Sequence, residues 1–254
     1  MKLRVVADRL DARLDTDSYR AADYATNGLQ VGDGDRDIEQ VAFAVDGAVA
    51  TAETAARAGA DLLVAHHGII WGGLDRLTGL DYERVRTLIE ADLALYAVHL
   101  PLDGHERLGN AAQLAGELGM EVLEPFGREG GQTIGVRAHT KSQPSMEELG
   151  RRLEQLGHES PQMLPFGPET VEHVGLITGS GTDWLRAAAR AGMDTLLTGE
   201  GKQQVYHEAR EAGLNVVLAG HYATERYGVQ ALRELVDGWE ESLTTSYIDH
   251  PTGL

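Results

Sequence analysis

The chain has 254 residues, 42% of them hydrophobic, enough to bury a full core as one large or two small domains. It has no cysteine, which excludes disulfides, thiolate zinc sites, iron–sulfur clusters and cysteine nucleophiles. A formal net charge of −18 argues against nucleic-acid binding through a basic face. Lys2, Lys141 and Lys202 are the only lysines, and so acidic, lysine-poor a surface is expected of a salt-rich, halophile-like cytosol that screens self-repulsion.

Residues 1–14 place Leu3, Val6, Leu10 and Leu14 near one helical stripe. The start lacks a long apolar core, so no signal peptide or membrane span is expected and the protein reads as cytoplasmic. Thr26 to Gly34 is glycine-rich turn chemistry around a short apolar element, a weak nucleotide fingerprint because no strand precedes it. A first α/β unit follows: strand 41–45, helix 48–58, strand 61–66, a long loop, helix 81–91, strand 93–99 and helix 108–119. Glu124 to Gly131, rich in Pro and Gly, marks the boundary. Beyond it the pattern predicts strand 132–138, helix 145–156, strand 172–178, helix 182–191, strand 194–198, helix 202–212, strand 215–220 and helix 223–238. The polar tail from Thr244 reads as loose.

Strands alternating with helices imply an α/β fold with mostly parallel sheets flanked by helices. The second half repeats the first. Val41–Gly47 resembles Val174–Ser180, and Ala58–Leu63 resembles Ala191–Leu196, each 133 residues on (41 to 174, 58 to 191). The expected organisation is two similar units, 1–126 and 127–254, with the C-terminal helix packing back on the first. Ligands are expected between the copies, beyond the carboxyl ends of the strands.

Three apolar runs end in histidine. Leu62 to Ala65 leads into His66-His67, and neutral imidazole is the commonest nitrogen ligand of divalent transition metals. Successive strand residues point to opposite sides, so the pair would serve one ion each, or one ion and a supporting role. Leu95 to Val98 leads into His99, with Asp103 four residues on. Val217 to Gly220 leads into His221, with Glu225 four residues on, a spacing that shares one helix face. Pro101 favours a tight turn over a helix in the first of these. The His-carboxylate pairs are 122 residues apart (99 to 221), so the first copy carries 11 extra residues (133 against 122) after His66-His67. In that register His66-His67 faces Gly199-Glu200. Without thiolates, any ion is held by His, carboxylate and water, which suits Zn, Mn, Fe, Co or Ni. His207 lines the site or faces solvent; His105 lies near it by chain geometry. His139, His158, His173 and His250 have no carboxylate at ligand spacing and read as exposed. Trp71 walls a pocket or packs.

His66-His67-Gly68, His99-Leu100-Pro101-Leu102-Asp103 and Gly220-His221-Tyr222-Ala223-Thr224-Glu225, in that order, resemble the NIF-three-like dinuclear-metal proteins, also known as GTP cyclohydrolase I type 2 homologues. Asn27-Gly28-Leu29-Gln30-Val31-Gly32 and Thr198-Gly199-Glu200 match the same pattern, and the likeness spans essentially the whole chain. Gly68 stands where many members have Pro. The resemblance implies two divalent ions held by His66, His67, Asp103, His221 and Glu225, with Glu225 bridging and His99 an extra ligand or a supporting partner. It also implies a homohexameric ring with the metal sites facing an internal cavity.

That centre implies metal-assisted hydrolysis of GTP, another nucleotide or a phosphoester. Glu225 is then catalytic as well as a ligand, with Glu200 or His207 moving protons and Lys202 or Arg226 meeting an anionic substrate. The competing expectation is a toroidal metal-binding scaffold or regulatory partner without turnover.

Overall fold

The computed structural model describes residues 1–253 and divides into two compact units. Unit 1 comprises Met1–Leu102, Gly130–Gln132 and Val229–His250; unit 2 comprises Asp103–Glu129, Thr133–Gly228 and Pro251–Leu254, of which Leu254 is not described. In chain order, unit 1 contains α1 (Leu3–Leu14), α2 (Thr16–Tyr19), β1 (Gly28–Val31), β2 (Gln40–Asp46), α3 (Val49–Arg57), β3 (Leu62–His67), α4 (Leu80–Glu90) and β4 (Ala94–Ala97). A single helical turn, α5 (Leu100–Asp103), carries the chain out of it. Unit 2 contains α6 (Asn110–Glu117), β5 (Glu121–Glu129), β6 (Gln132–His139), α7 (Met146–Gln155), β7 (Gln162–Leu164) and β8 (His173–Leu176). A 3-10 turn (Gly181–Trp184), α8 (Leu185–Arg190), β9 (Thr195–Thr198), α9 (Val205–Ala212) and β10 (Asn215–Leu218) complete it. The last helix, α10 (His221–Asp237), starts in unit 2 and ends in unit 1, where β11 (Thr244–Tyr247) follows.

β3 is the middle of a sheet ordered β1-β4-β3-β2-β11. Its residues Leu62 to His66 are all buried, as expected of a parallel strand covered on both faces. β2 and β4 run parallel to it, with Leu62 opposite both Val41 and Ala94. Leu63, Ala65, Leu88, Leu93 and Leu95 pack with Ala52 and Ala55 of α3 in this core. The second sheet is ordered β5-β6-β8-β9-β10-β7, and β8, β9 and β10 are parallel. Adjacent residues of β9 feed separate cores: Leu197 packs with Leu149, Leu153 and Val217, while Leu196 packs with Leu185, Ala188 and Val205. Strand alternation thus covers both faces of this sheet.

The repeat is visible in the topology. β2-β3-β4 corresponds to β8-β9-β10, and each last strand carries an antiparallel edge partner, β1 on β4 and β7 on β10. Val174 lies opposite Thr195 as Val41 lies opposite Leu62, keeping the 133-residue spacing. In the final strand, however, Thr195 lies opposite Asn215 where Leu62 lies opposite Ala94, a spacing of 121 (94 to 215). The first copy therefore carries 12 extra residues rather than 11, and His99 corresponds to Gly220, not His221. Gly220, at φ +90, takes the place of His99, and α10 opens at His221 as α5 opens at Leu100, so the second histidine is one position further on and inside the helix.

Four other expectations are corrected. Glu124 to Gly131, read as the boundary, is the end of β5 and a turn at Gly130-Gly131, both with positive φ, leading into β6. Pro125 is tolerated because β5 is an edge strand. The compact units divide after Leu102 instead of near 126, because α6 gives Ala111, Leu114 and Ala115 to the core of β8–β10. Thr244 to Tyr247 is ordered as β11, pairing with Gln40 to Phe43 of β2 by backbone ladder where apolar content is low. Pro101 sits inside the turn of α5, where the first N–H groups need no helical acceptor. No helix among the described residues is long and apolar enough to cross a membrane.

Candidate metal centre

Unit 1 brings three imidazoles together at the ends of β3 and β4. His66 and His67 rings lie 4.6 Å apart, His66 and His99 5.2 Å, and His67 and His99 5.7 Å. One ring nitrogen from each falls within 4.8 Å of the others. Two imidazoles on one tetrahedral ion have ring centres about 5 Å apart, given metal–nitrogen bonds of about 2.0–2.1 Å. The observed spacings bracket that value. His66 and His67 converge, against the expectation from strand alternation, because β3 ends at His67 and the chain turns at Gly68.

Each ring is backed at Nδ1. His66 Nδ1 is 2.9 Å from the Val98 carbonyl oxygen, which accepts only, so His66 carries a proton there. His67 Nδ1 is 2.8 Å from Asp46 Oδ1, and His99 Nδ1 is 2.9 Å from Asp23 Oδ1. Protonation at Nδ1 and a lone pair at Nε2 is the state of a metal-binding imidazole held by an outer carboxylate or carbonyl. The donor set fits a divalent transition metal.

Asp23 and Asp46 escaped the sequence reading. Asp46 had a signal: it ends β2 directly opposite His67. Asp23 had none, lying in a loop 76 residues from its partner. It also accepts from Leu100 N–H, Ala25 N–H and the Asn27 amide, each at 2.9 Å. Burial pushes the Asp23 carboxyl up, but the bonds from His99, Asn27 and Ala25 outweigh it and hold the group below the usual carboxylate range. Asn27 and Gln30 acquire a clear task. Asn27 Oδ1 accepts from His99 N–H at 2.7 Å, and Gln30 Oε1 accepts from Ile69 N–H at 2.8 Å, fixing the loops after β4 and β3. The Trp71 indole donates to the Gly68 carbonyl at 3.0 Å and meets His99 edge-on at 5.1 Å. A cleft of about 200 Å³ beside these rings is lined by Asp46, His67, Trp71 and Arg84.

Unit 2 carries the second set. His221 and Glu225 lie one turn apart on α10, with His221 Nε2 3.1 Å from Glu225 Oε2. His221 Nδ1 is 3.1 Å from Glu200 Oε1, the same backing that Asp46 gives His67. The Ser180 hydroxyl donates to Glu200. That bond, with His221, holds the Glu200 carboxyl below the usual range against partial burial and the charge of Glu225. Asp103 is buried, and its Oδ1 accepts from the Asn110 amide at 2.9 Å and the Thr178 hydroxyl at 3.2 Å. Asn110 in turn accepts from Gly228 N–H at 2.7 Å, tying Asp103 to the helix that carries Glu225. Glycines let α10 approach: Gly179, at φ +59, donates to Thr224 Oγ1 at 3.0 Å, and a Cβ there would overlap the Glu225 carboxylate.

Other predicted residues fall elsewhere. His207 is exposed on α9 with its ring against Tyr206. Lys202 lies 3.6 Å from Asp183, and Arg226 donates to the Leu156 carbonyl and stacks on Tyr227. His105 Nδ1 accepts from Arg107 and Leu108 N–H groups in a turn. His158, expected at the surface, is buried, with Nδ1 2.7 Å from the Ala219 carbonyl and Nε2 2.8 Å from the Tyr227 hydroxyl.

The sequence matches the family described as Duf34/NIF3 (NGG1p interacting factor 3) over residues 1–250. It is 50% identical to the GTP cyclohydrolase 1 type 2 homolog of Halobacterium salinarum, covering 100% of both chains. It is 41% identical to the protein of that name from Deinococcus radiodurans, covering 91% of this chain and 88% of the relative. Among solved structures, protein ybgI, described as of unknown function, superposes with a TM-score of 0.92 at 35% identity, covering 100% of both chains. TTHA1606 from Thermus thermophilus superposes with a TM-score of 0.89 at 38% identity, again over 100% of both. A fold of two helix-flanked sheets, a pattern of strand-end histidines and these full-length likenesses agree: the chain belongs to the DUF34/NIF3 family.

Proposed function

We propose that the chain is a dinuclear metal-dependent hydrolase in which His66, His67, Asp103, His221 and Glu225 hold two divalent ions, Glu225 bridging them and His99 serving as a further ligand. The observation that carries this reading is the convergence of one ring nitrogen from each of His66, His67 and His99 within 4.8 Å, with each ring oriented at Nδ1 by an oxygen acceptor. Zn, Mn, Fe, Co and Ni all suit such nitrogen and oxygen donors. Bound ions of this kind would supply Lewis-acid polarisation and lower the pKa of a water into the neutral range.

The chain's own residues orient and hold protons. Val98 O, Asp46, Asp23 and Glu200 keep their partner imidazoles protonated at Nδ1. Glu200 is already engaged by Ser180 and His221, which makes it a positioning residue for His221 in place of a proton carrier. Arg84, lining the cleft beside His67, takes the anion-binding part first expected of Lys202 or Arg226. Relatives carry the name GTP cyclohydrolase 1 type 2 homolog, so GTP heads the substrate panel, followed by other nucleotides and phosphoesters.

Metal analysis and turnover on that panel, with wild type and Glu225→Gln, test the proposal. The expected result is two metal equivalents in wild type and turnover abolished by the substitution. Turnover that survives Glu225→Gln sinks the catalytic assignment. Two equivalents without turnover on any substrate favour the scaffold, and full metal content in both His66→Ala and His221→Ala refutes the ligand set. The expected hexamer is checked by light scattering.

A further inference from the structure

His158 is buried between exposed Gly157 and Glu159, just past the end of α7. Its backbone is fixed there: Gly157 has φ +84, and His158 N–H donates to the Leu153 carbonyl at 3.0 Å. The ring reaches two segments at once. Nδ1 is 2.7 Å from the Ala219 carbonyl oxygen, which accepts only, so Nδ1 donates. Burial, aided by the charge of Arg226, holds the ring's pKa below 6.5 against that bond. The ring is therefore neutral at neutral pH, and Nε2 accepts from the Tyr227 hydroxyl at 2.8 Å. The two rings also stack, with centres 5.8 Å apart and planes 16° from parallel. Beside Tyr227, Arg226 donates to the Leu156 carbonyl, which ties the same turn to α10 a second time.

These contacts bracket the segment that carries His221 and Glu225. Ala219 lies two residues before His221, and Tyr227 two residues after Glu225. Between them stands Gly220 at φ +90, where glycine leaves the backbone its widest freedom, so this hinge does not set its own angle. Leverage makes the angle matter. Glu225 stands five residues past the hinge, about 7.5 Å along the helix at about 1.5 Å per residue. A tilt of α10 by about 10° would carry the Glu225 backbone about 1.3 Å from its place against Asp103, which Thr178 holds from another segment. A functional constellation tolerates only about 0.5 Å.

We propose that His158 is a positioning residue for this turn: a buried brace, bonded on both sides of Gly220, that fixes the angle at which α10 leaves β10 and so sets Glu225 against Asp103. The proposal rests on the reading of His221, Glu225 and Asp103 as metal ligands. Both nitrogens of His158 are engaged, so it is no ligand itself and acts through the helix. A neutral imidazole suits the task because the carbonyl needs a donor and the hydroxyl an acceptor, on opposite sides of one rigid ring.

The test uses the full chain, stripped with chelator and titrated with Zn²⁺ alone. Tyr227→Phe keeps the stacked ring and removes the hydroxyl; His158→Asn keeps a donor for the Ala219 carbonyl and gives up Tyr227. Each is expected to weaken zinc binding at least about tenfold, and the double variant to lose no more than either alone, because all three break the same bond. Val136→Ala, on β6 in the same core, is expected to lower Tm and leave zinc affinity unchanged. His221→Ala reports on the ligand reading separately and should lose zinc whether or not the brace exists. If it does, and Tyr227→Phe and His158→Asn bind zinc as wild type does, the brace is refuted. It is refuted equally if their losses add in the double variant, or if Val136→Ala loses zinc in step with its stability. Full zinc affinity in His221→Ala removes the ligand reading and the brace with it.

Discussion

Gly179→Ala isolates the contact on which the α10 half of the centre depends. Gly179 has φ +59, and holding an L-residue there costs about 1–2 kcal/mol. The added methyl would also overlap the Glu225 carboxylate and come within 3.1 Å of His221 Nε2. Overpacking of this kind costs about 1–3 kcal/mol more. The sum is about 2–5 kcal/mol, and a chain of this size loses about 2–4 °C of Tm per kcal/mol, giving a fall of roughly 4–20 °C. Gly192→Ala is the control, because φ is +73 and no atom lies within 4 Å of its added Cβ. It should bear the backbone cost alone, a fall of roughly 2–8 °C. Glu225 is a flexible chain end, so part of the clash is relieved by swinging the carboxylate aside. That moves the cost from stability to metal affinity, which should drop at least about tenfold in Gly179→Ala and stay unchanged in Gly192→Ala. Thermal melts by circular dichroism and zinc titration read the two quantities. If the variants match in both Tm and zinc binding, the close-approach argument is wrong.

Asp46→Ala should weaken zinc binding about 10–100-fold, since an outer partner that orients a ligand imidazole is worth that much; Asp46→Asn, which keeps an acceptor for His67 Nδ1, should lose less. Equilibrium dialysis compares them, and equal affinities in wild type and Asp46→Ala would remove Asp46 from the site. His158 should make stability depend on pH: burial, aided by the charge of Arg226 and opposed by the bond to the Ala219 carbonyl, depresses its pKa below 6.5. The unfolded chain then binds the proton more readily, so this contribution is complete above about pH 6.5 and is lost as the pH falls towards the folded-state pKa. Urea unfolding of wild type and His158→Gln across that window should show a steeper slope in wild type, and parallel profiles would refute the assignment. Leu63→Ala empties a fully buried position on β3 and should cost about 2–5 kcal/mol with an unchanged m-value in urea.

Much of the fold was legible because burial on both faces writes itself as uninterrupted apolar runs. β4, β8, β9 and β10 lie within the predicted strands, while β2 overruns its prediction by one residue at each end and β3 by one at its end; α3, α6 and α7 lie within the predicted helices and α4 starts one residue early. The misses share a cause. β5, β7 and β11 are held by ladder bonds at sheet edges more than by burial, so their sequences carry turn residues or polar ones instead of an apolar run. In the candidate site the histidines and carboxylates were legible because they close those apolar runs. Their backing was not. Asp23 lies in a loop, and a bond across 76 residues has no local signature. His158 was misjudged because its partners are a carbonyl and a tyrosine hydroxyl, neither visible as a spacing.

The one-residue difference between the copies explains why two similar units present different chemistry. With β4 and β10 aligned by their pairing, His99 falls on Gly220 and Leu100 on His221. In the first copy the imidazole precedes the helical turn and its own N–H is held by Asn27; in the second it opens the helix, one turn before Glu225. Except for Asp23, the acceptors that back the rings follow strand neighbours and not chain neighbours. Asp46 ends the strand beside His67, Val98 follows the strand beside His66, and Glu200 follows the strand beside the one that leads to His221. Three of the four imidazoles, His66, His67 and His221, are therefore oriented from the end of the next strand over, and His99 from a loop. The informative sequence pattern is a histidine at one strand end with an acceptor at the end of its neighbour, read across the sheet. By that criterion Asp46 was available from the sequence once the register of β2 and β3 was known. Glu200 was available in the same way, and Asp23 was not.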